Sequence, residues 1–380
     1  MFDVHGIKGT GMTFDDNRVL IAATIILFAL SFLYFKGNLL LSKPNISKQL
    51  DANISVLQLI SAIDGQFDWK AATPLTIRPF VNKRNFNPSM AIKSIKNTPY
   101  DWLLIENTYL NNIELKKSVA LDRPDDVIFM NDDPCTKLAV VETYDTIINF
   151  LISRYPMYFE SVGKQIVKNT IKDLKFPRYG KDIAPKSLLS ILNENIEEDF
   201  LLLLKDNPNN LDEEYKLKAS INGFPAGFDP KVGHNQPISF IHSPVPQYPS
   251  RLQTSMHKFF NNLQPKDLWV RHNWSIQTNA KKFNLDSLHG REGEKITQLK
   301  SHEINFDETF LRVERQIFTR LPKSRANLMT IRTYLTPISQ IKQEGLAPDL
   351  IFGIDSLPDD LAFYKRRDAW GEAIKQYLRG

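Results

Sequence analysis

Three groups of side chains in this 380-residue chain have the types and spacing for chemistry. His242 closes the run PISFIH, Pro237 to His242, and Pro244 and Pro246 follow it. Under a two-residue period Ile238, Phe240 and His242 share one strand face, and prolines that cannot donate to a ladder end the strand just past the histidine. A single imidazole on an apolar surface suits an axial haem ligand, because haem needs one protein donor and a hydrophobic slot. The plainer reading of the same pattern is a core histidine. His272, in the strand-like LWVRHNWSI from Leu268 to Ile276, sits on an equally apolar face and competes for the role.

The second group is basic. Arg312, Arg315, Arg320, Lys323, Arg325 and Arg332 are relieved only by Glu314. Leu311–Leu321 and Ala326–Leu335 read as strands joined by the polar PKSR, a hairpin centred on Lys323–Ser324 that sets Arg315 close to directly opposite Arg332. Like charges so placed cost energy unless an anion lies between them, and paired anions such as propionates or a phosphate would match the guanidinium forks. Alternatively one arginine pairs with Glu314 or Glu198 and the other reaches solvent. The third group, IEEDFLLLL from Ile196 to Leu204, places Glu197, Glu198 and Asp199 ahead of an apolar run. That is either a solvated helix start or a set of carboxylates able to steer an amine.

The commoner site signatures are missing. No two of the seven histidines have the H-x-x-x-H or H-E-x-x-H spacing of a helical zinc site. The chain holds no G-x-S-x-G elbow, no phosphate-binding G-x-x-x-x-G-K-[ST] loop and no G-x-G-x-x-G opening a helix. One cysteine, Cys135, excludes an intrachain disulfide framework and any multi-cysteine zinc or iron–sulfur site. A net charge of +5, with no dense basic run, gives nucleic acid no support.

The elements that must position these residues come next. Helical periodicity is clearest at 99–119, 138–154, 186–204, 250–262 and 360–378, and strand patterns dominate the middle. Helices, then antiparallel strands, then a closing helix predict an α+β fold. Ahead of them, Val19 to Phe35 is free of charge, with Arg18 and Lys36 at its ends. The expectation is a polar segment at 1–18, a single transmembrane helix at 19–36 in contact with lipid, a tether at 37–74 and one domain over 75–380. Lys8 and Arg18 before the span, against Lys36, Lys43 and Lys48 after it, lean the large domain toward the cytosol.

Several segments then show a resemblance. LRVERQIFTRLPKSRANLMTIRTYLTPI resembles the most distinctive stretch of the haem-dependent oxidative N-demethylase-like family, whose fungal members are also called HRQ family proteins. RPFVNKRNFNPSMAIKSIKNTPYDWLLIENTYL at 78–110, NFLISRYPMYF at 149–159 and IEEDFLLLLKD at 196–206 agree in order. So do KVGHNQPISFIHSPVPQY at 231–248, WVRHNWSI at 269–276 and LPDDLAFYKRRDAW at 357–370. The match covers about 75–378.

The resemblance implies a PAS-like fold that binds haem b and oxidises a small amine with dioxygen, releasing formaldehyde and a shorter amine. It makes His242, in IHSPVP, the candidate iron ligand. Arg315 and Arg332 become candidates for propionate or active-site contacts, Glu198 and Asp199 match an acidic family motif, and Asn273 and Trp274 match its R-x-N-W-S segment. With no flavin, nicotinamide or iron–sulfur signature in the chain, a separate reductase or ferredoxin-like donor must supply electrons. Two segments depart from the family pattern, INGFPAGFDP before K-x-G and SMAIKSI near the start, and both bear on the pocket. A haem-based sensor or carrier, or a haem-free membrane scaffold, are the rival functions for such a fold.

Overall fold

Long strands with two unlike faces organise the protein. The computed structural model describes residues 54–81 and 89–380. The principal elements run β1 (Lys93–Ser94), α1 (Tyr109–Asp122), β2 (Ile128–Met130), α2 (Pro134–Arg154), β3 (Phe159–Val162), β4 (Ile166–Asn169), β5 (Leu174–Pro177) and α3 (Pro185–Asn193). They continue with β6 (Asp199–Leu204), β7 (Lys216–Ile221), α4 (Gln253–Asn262), β8 (Trp269–Gln277), β9 (Phe310–Arg320), β10 (Asn327–Pro337), α5 (Ala347–Asp355) and α6 (Arg367–Arg379). Seven strands pair in the order β1-β8-β9-β10-β6-β7-β2, and β3, β4 and β5 form a separate small sheet. Every pairing is antiparallel, so the α+β expectation holds.

Because side chains alternate along a strand, the register fixes what each face carries. The first face holds Val270, His272 and Trp274 of β8, Val313, Arg315 and Ile317 of β9, and Thr330, Arg332 and Tyr334 of β10. Its apolar members lie in two cores, one built with α2 and α3 and the other with α5, α6 and Phe80. The second face holds Arg271 and Asn273, then Glu314, Gln316 and Phe318, then Met329, Ile331 and Thr333. A third core covers one end of it, where Phe318 packs with Tyr248, Met256 and Phe260.

The expected hairpin is present: Arg315 and Arg332 are direct register partners. Four expected elements are corrected. The helix expected at 186–204 stops at Asn193, where the Ile191 carbonyl accepts both the Glu194 N–H at 3.2 Å and the Asn195 side chain at 2.8 Å. The unbroken apolar run that follows is strand β6, paired on both edges. The helix expected at 99–119 begins at Tyr109. Before it, the carbonyls of Asp101, Trp102 and Leu104 accept from Arg315 and Arg332 instead of from later helical N–H groups.

The strand expected at Pro237–His242 is a helical turn, Ile238–Ile241, with His242 at its end. Its prolines flank the run and leave its own N–H groups intact, but these are spent locally: those of Ile241 and His242 close on the Pro237 and Ile238 carbonyls at 3.1 and 3.0 Å, and that of Ser239 donates to Glu214 at 2.9 Å. The closing helix is two, Asp359–Tyr364 and α6, interrupted where Arg366 turns left-handed at φ 56°.

Of the segment expected as a tether, residues 54–74 pack onto the domain, with Val56 and Leu57 buried in the first core. Among the described residues no helix is long and apolar enough to cross a membrane. The span expected at 19–36 lies outside the described residues. The single-pass membrane placement is therefore withdrawn, together with the cytosolic side that depended on it.

Candidate functional site

Arg332, on the first face, is surrounded by carboxylates. Its guanidinium pairs with Glu106 at 2.6 Å, Glu197 at 2.5 Å and Glu198 at 3.1 Å, and donates to the Leu104 carbonyl at 2.8 Å. All four charged groups are buried. Tyr334 donates to Glu106, while Thr108 and Asn112 donate to Glu197. Burial raises the Glu198 carboxyl above its ordinary range; Arg332 opposes the shift and the adjacent Glu197 charge adds to it. Arg315, opposite Arg332, donates to the carbonyls of Asp101 and Trp102. The anion that would relieve two facing arginines is thus supplied internally, and Arg332 has no fork left for a propionate. Trp274 is also on this face, edge-to-face with Phe80 at 6.3 Å, inside an apolar core.

Asp199 is engaged just as fully. Its carboxylate accepts the N–H groups of Gly223 at 2.9 Å and Phe224 at 2.7 Å, and pairs with the fully buried Lys116 at 3.2 Å. The backbone can cross here only as glycine, since a Cβ on Gly223 would lie 2.8 Å from the Lys116 side chain. Arg312, buried on β9, grips the same loop from the carbonyl side, through Phe224 at 2.6 Å and Pro225 at 3.3 Å. It also reaches Gln277 and the Lys282 carbonyl, both at 3.1 Å. Glu198 and Asp199, the expected catalytic pair, therefore hold structure in place.

The unfinished chemistry is on the second face. Glu314 is buried and, among the described residues, forms no ion pair, although the Arg271 and Arg312 charges act on it; one of its oxygens accepts from Gln316 at 2.9 Å and from Asn273 at 3.3 Å, and the other has no hydrogen bond among those residues. Arg271, the register partner of Gln316, forms no hydrogen bond or ion pair among the described residues, and its buried Nε lacks an acceptor. The buried Oε1 of Gln316 likewise lacks a donor. Orphaned buried polar atoms are uncommon in native proteins and call for an explanation. A donor and an acceptor orphaned on directly paired residues are groups that a polar ligand could satisfy. Leu201 and Ile331, on the same face, are only half-buried and leave it an apolar floor.

His242 borders this face. Its ring stacks on Tyr248 at 5.0 Å and 17°, and Tyr248 packs in the core that covers the end of the second face. Nδ1 lies 2.9 Å from the Ile238 carbonyl. A carbonyl only accepts, so Nδ1 carries the proton and Nε2 presents a lone pair. Burial lowers the imidazole pKa, the Ile238 carbonyl opposes that, and the nearby Arg271 charge lowers it further, so the ring is neutral at pH 7. This is the state of a metal-ligating histidine, whose other nitrogen donates to a carbonyl. Phe240 beside it is 47% exposed, an apolar surface that a flat hydrophobic cofactor would cover.

Haem would suit these residues: one neutral imidazole whose Nε2 has no hydrogen bond among the described residues, an exposed aromatic next to it, and Arg271, which feels the Glu314 charge but forms no hydrogen bond among the described residues. Among the described residues no three His, Cys, Asp or Glu side chains gather as a metal cage, which single-imidazole haem ligation does not require. His272, the competing histidine, is on the first face with Arg315.

Arg271, Glu314 and Gln316 were missed from the sequence. The signal was present in the alternation of VRHNW and VERQI, which sets them opposite Arg315 once the strands are fixed. Residues 93–375 match the family model described as haem-dependent oxidative N-demethylase, alpha subunit-like. With well over half of its length matched, and a second face whose residues suit the cofactor named there, the chain belongs to the haem-dependent oxidative N-demethylase alpha subunit-like family.

Proposed function

We propose that this protein binds haem b on the second face of a PAS-like sheet and oxidatively demethylates a small amine with dioxygen, releasing formaldehyde. The observation that carries the reading is His242, whose Nδ1–H is fixed on the Ile238 carbonyl so that Nε2 is free to ligate iron. Bound there, haem supplies the oxidation at the carbon next to the substrate nitrogen.

The chain's own residues do the rest. Arg271, with donors unengaged among the described residues, takes the part expected of Arg332 and meets a propionate. Glu314 offers its unbonded oxygen to the ammonium of the amine, and Asn273 and Gln316 hold the other oxygen still. The loop clamped by Asp199 and Arg312 walls the site and limits water. Electrons come from a separate reductase or ferredoxin-like protein.

The test is the absorption spectrum of the chain purified after expression with haem precursor, beside His242→Ala. A Soret band that the substitution removes or shifts, with formaldehyde formed from an added amine and reductant, supports the reading. A colourless, folded protein sinks it, and gas binding without turnover points to a sensor or carrier.

A further inference from the structure

A second histidine is held as firmly as His242 and has no place in the function above. Nδ1 of His289 lies 3.2 Å from the Gly227 carbonyl, and its ring stacks on Tyr364 at 4.3 Å and 13°. By the same logic as for His242, Nδ1 carries the proton and Nε2 the lone pair. Among the described residues the ring's one hydrogen bond is that of Nδ1. Gly227 has φ +79°, and a Cβ there would lie 2.9 Å from Nδ1, so the close approach needs glycine.

Its location follows from the loops that carry it. The Gly227 N–H donates to the Asn284 carbonyl at 2.7 Å, and Ala226 bridges Asn284, joining the 223–227 and 282–289 stretches into one wall. Arg312 anchors both, through the carbonyls of Phe224 and Lys282. Arg312 stands two residues before Glu314 on the same face of β9. Tyr364, the ring under His289, feels the Glu314 charge. His289 is thus fixed by the loops that Arg312 anchors, at the Arg312 end of the face that carries Glu314.

Its protonation state suits an acceptor. Burial brings the imidazole down to about 4, the Lys365 charge adds to this, the Gly227 carbonyl opposes it and Arg312 lowers it again. The cations around it are occupied: Arg312 by carbonyls, Lys365 by the Trp274 carbonyl, and Arg366 by Glu294 at 2.6 Å.

We propose that His289 contacts the substrate, its Nε2 accepting a hydrogen bond from an N–H of the amine held at Glu314. This rests on the amine-oxidising reading above. A site built to hydrogen-bond a substrate N–H loses affinity when its acceptor is removed, because the donor is then buried unpaired.

The test uses the haem-loaded full chain and dimethylamine, with calorimetric titration of wild type, His289→Phe and His289→Gln. Phe keeps a ring on Tyr364 without an acceptor, and Gln restores one. The expected result is a Kd raised about ten- to a hundredfold in His289→Phe and largely recovered in His289→Gln, with the Soret band unchanged in both. Equal affinity in wild type and His289→Phe, or a loss that Gln does not recover, overturns the proposal while leaving the haem reading intact. A wild-type chain without a Soret band overturns both.

Discussion

Arg315 and Arg332 are register partners in the β9–β10 hairpin, yet they never compete for an anion: one binds carbonyls, the other three carboxylates. The pair is tolerated because the segment from Asp101 to Glu106 passes over it and meets each guanidinium with oxygen.

Removing Arg332 is therefore expected to be costly. Arg332→Met leaves Glu106, Glu197 and Glu198 buried without a counter-ion, a change of about 3–5 kcal/mol in unfolding free energy. Arg332→Lys recovers only part of it, since an ammonium cannot reproduce the fork. Urea unfolding midpoints check this, and an unchanged midpoint would show that the cluster contributes nothing.

Glu314→Gln should behave in the opposite way. Among the described residues the carboxylate has two amide contacts and no ion pair, so stability is expected to shift by no more than about 1 kcal/mol. Catalytic efficiency toward an amine should fall at least about tenfold with the Soret band retained. Unchanged kinetics would remove Glu314 from the site.

Two histidines predict the acid side of the stability curve. Burial brings His234, stacked on Phe129 at 3.6 Å, and His289 each down to about 4. A depressed folded pKa contributes stability that is complete above the unfolded value near 6.5 and lost as pH falls toward 4. Unfolding free energy should decline between those limits, and His234→Phe should flatten the decline. Glu198 runs the other way: its raised carboxyl favours the fold below its ordinary pKa and ceases to do so as pH climbs through the folded value. Denaturation series from pH 4.5 to 7.5 read both slopes.

Glu142 offers a test of the hairpin itself. Its carboxylate, on α2, accepts the N–H groups of Lys323 at 2.8 Å and Ser324 at 2.6 Å at the β9–β10 turn. Glu142→Ala strands two donors and is expected to cost about 1–3 kcal/mol, with faster amide exchange confined at first to residues 321–326. Uniform exchange across the sheet would argue against a local clamp.

Much of this was legible in the sequence, and the failures have physical causes. The long strands and the opposition of Arg315 to Arg332 followed from two-residue alternation and a polar turn. The helix ends did not, because arginines more than two hundred residues away take the carbonyls that would have extended the helix back to Pro99. His242 was placed on the wrong element: an apolar alternation over six residues fits a strand, but the N–H groups of Ile241 and His242 close a helical turn and that of Ser239 goes to Glu214. Glu198 and Asp199 stood out through an acidic family motif; the pairing of an arginine with Glu198 is the alternative the sequence did offer, whereas Lys116, the partner of Asp199, comes from an element no local window contains.

The alternation of charge along β9 also bears on how the sheet finds its alignment. Hydrophobic strands can slide by two residues with little penalty, but Glu314, Arg315 and Gln316 make β9 intolerant of sliding by one. Such a slip would turn the Glu314 carboxylate toward Glu106, Glu197 and Glu198 and carry Arg315 away from its carbonyls. The misaligned hairpin would gather four buried acids around Arg332 alone. Such a hairpin would be electrostatically disfavoured, so the charge cluster helps the sheet to specify a single register.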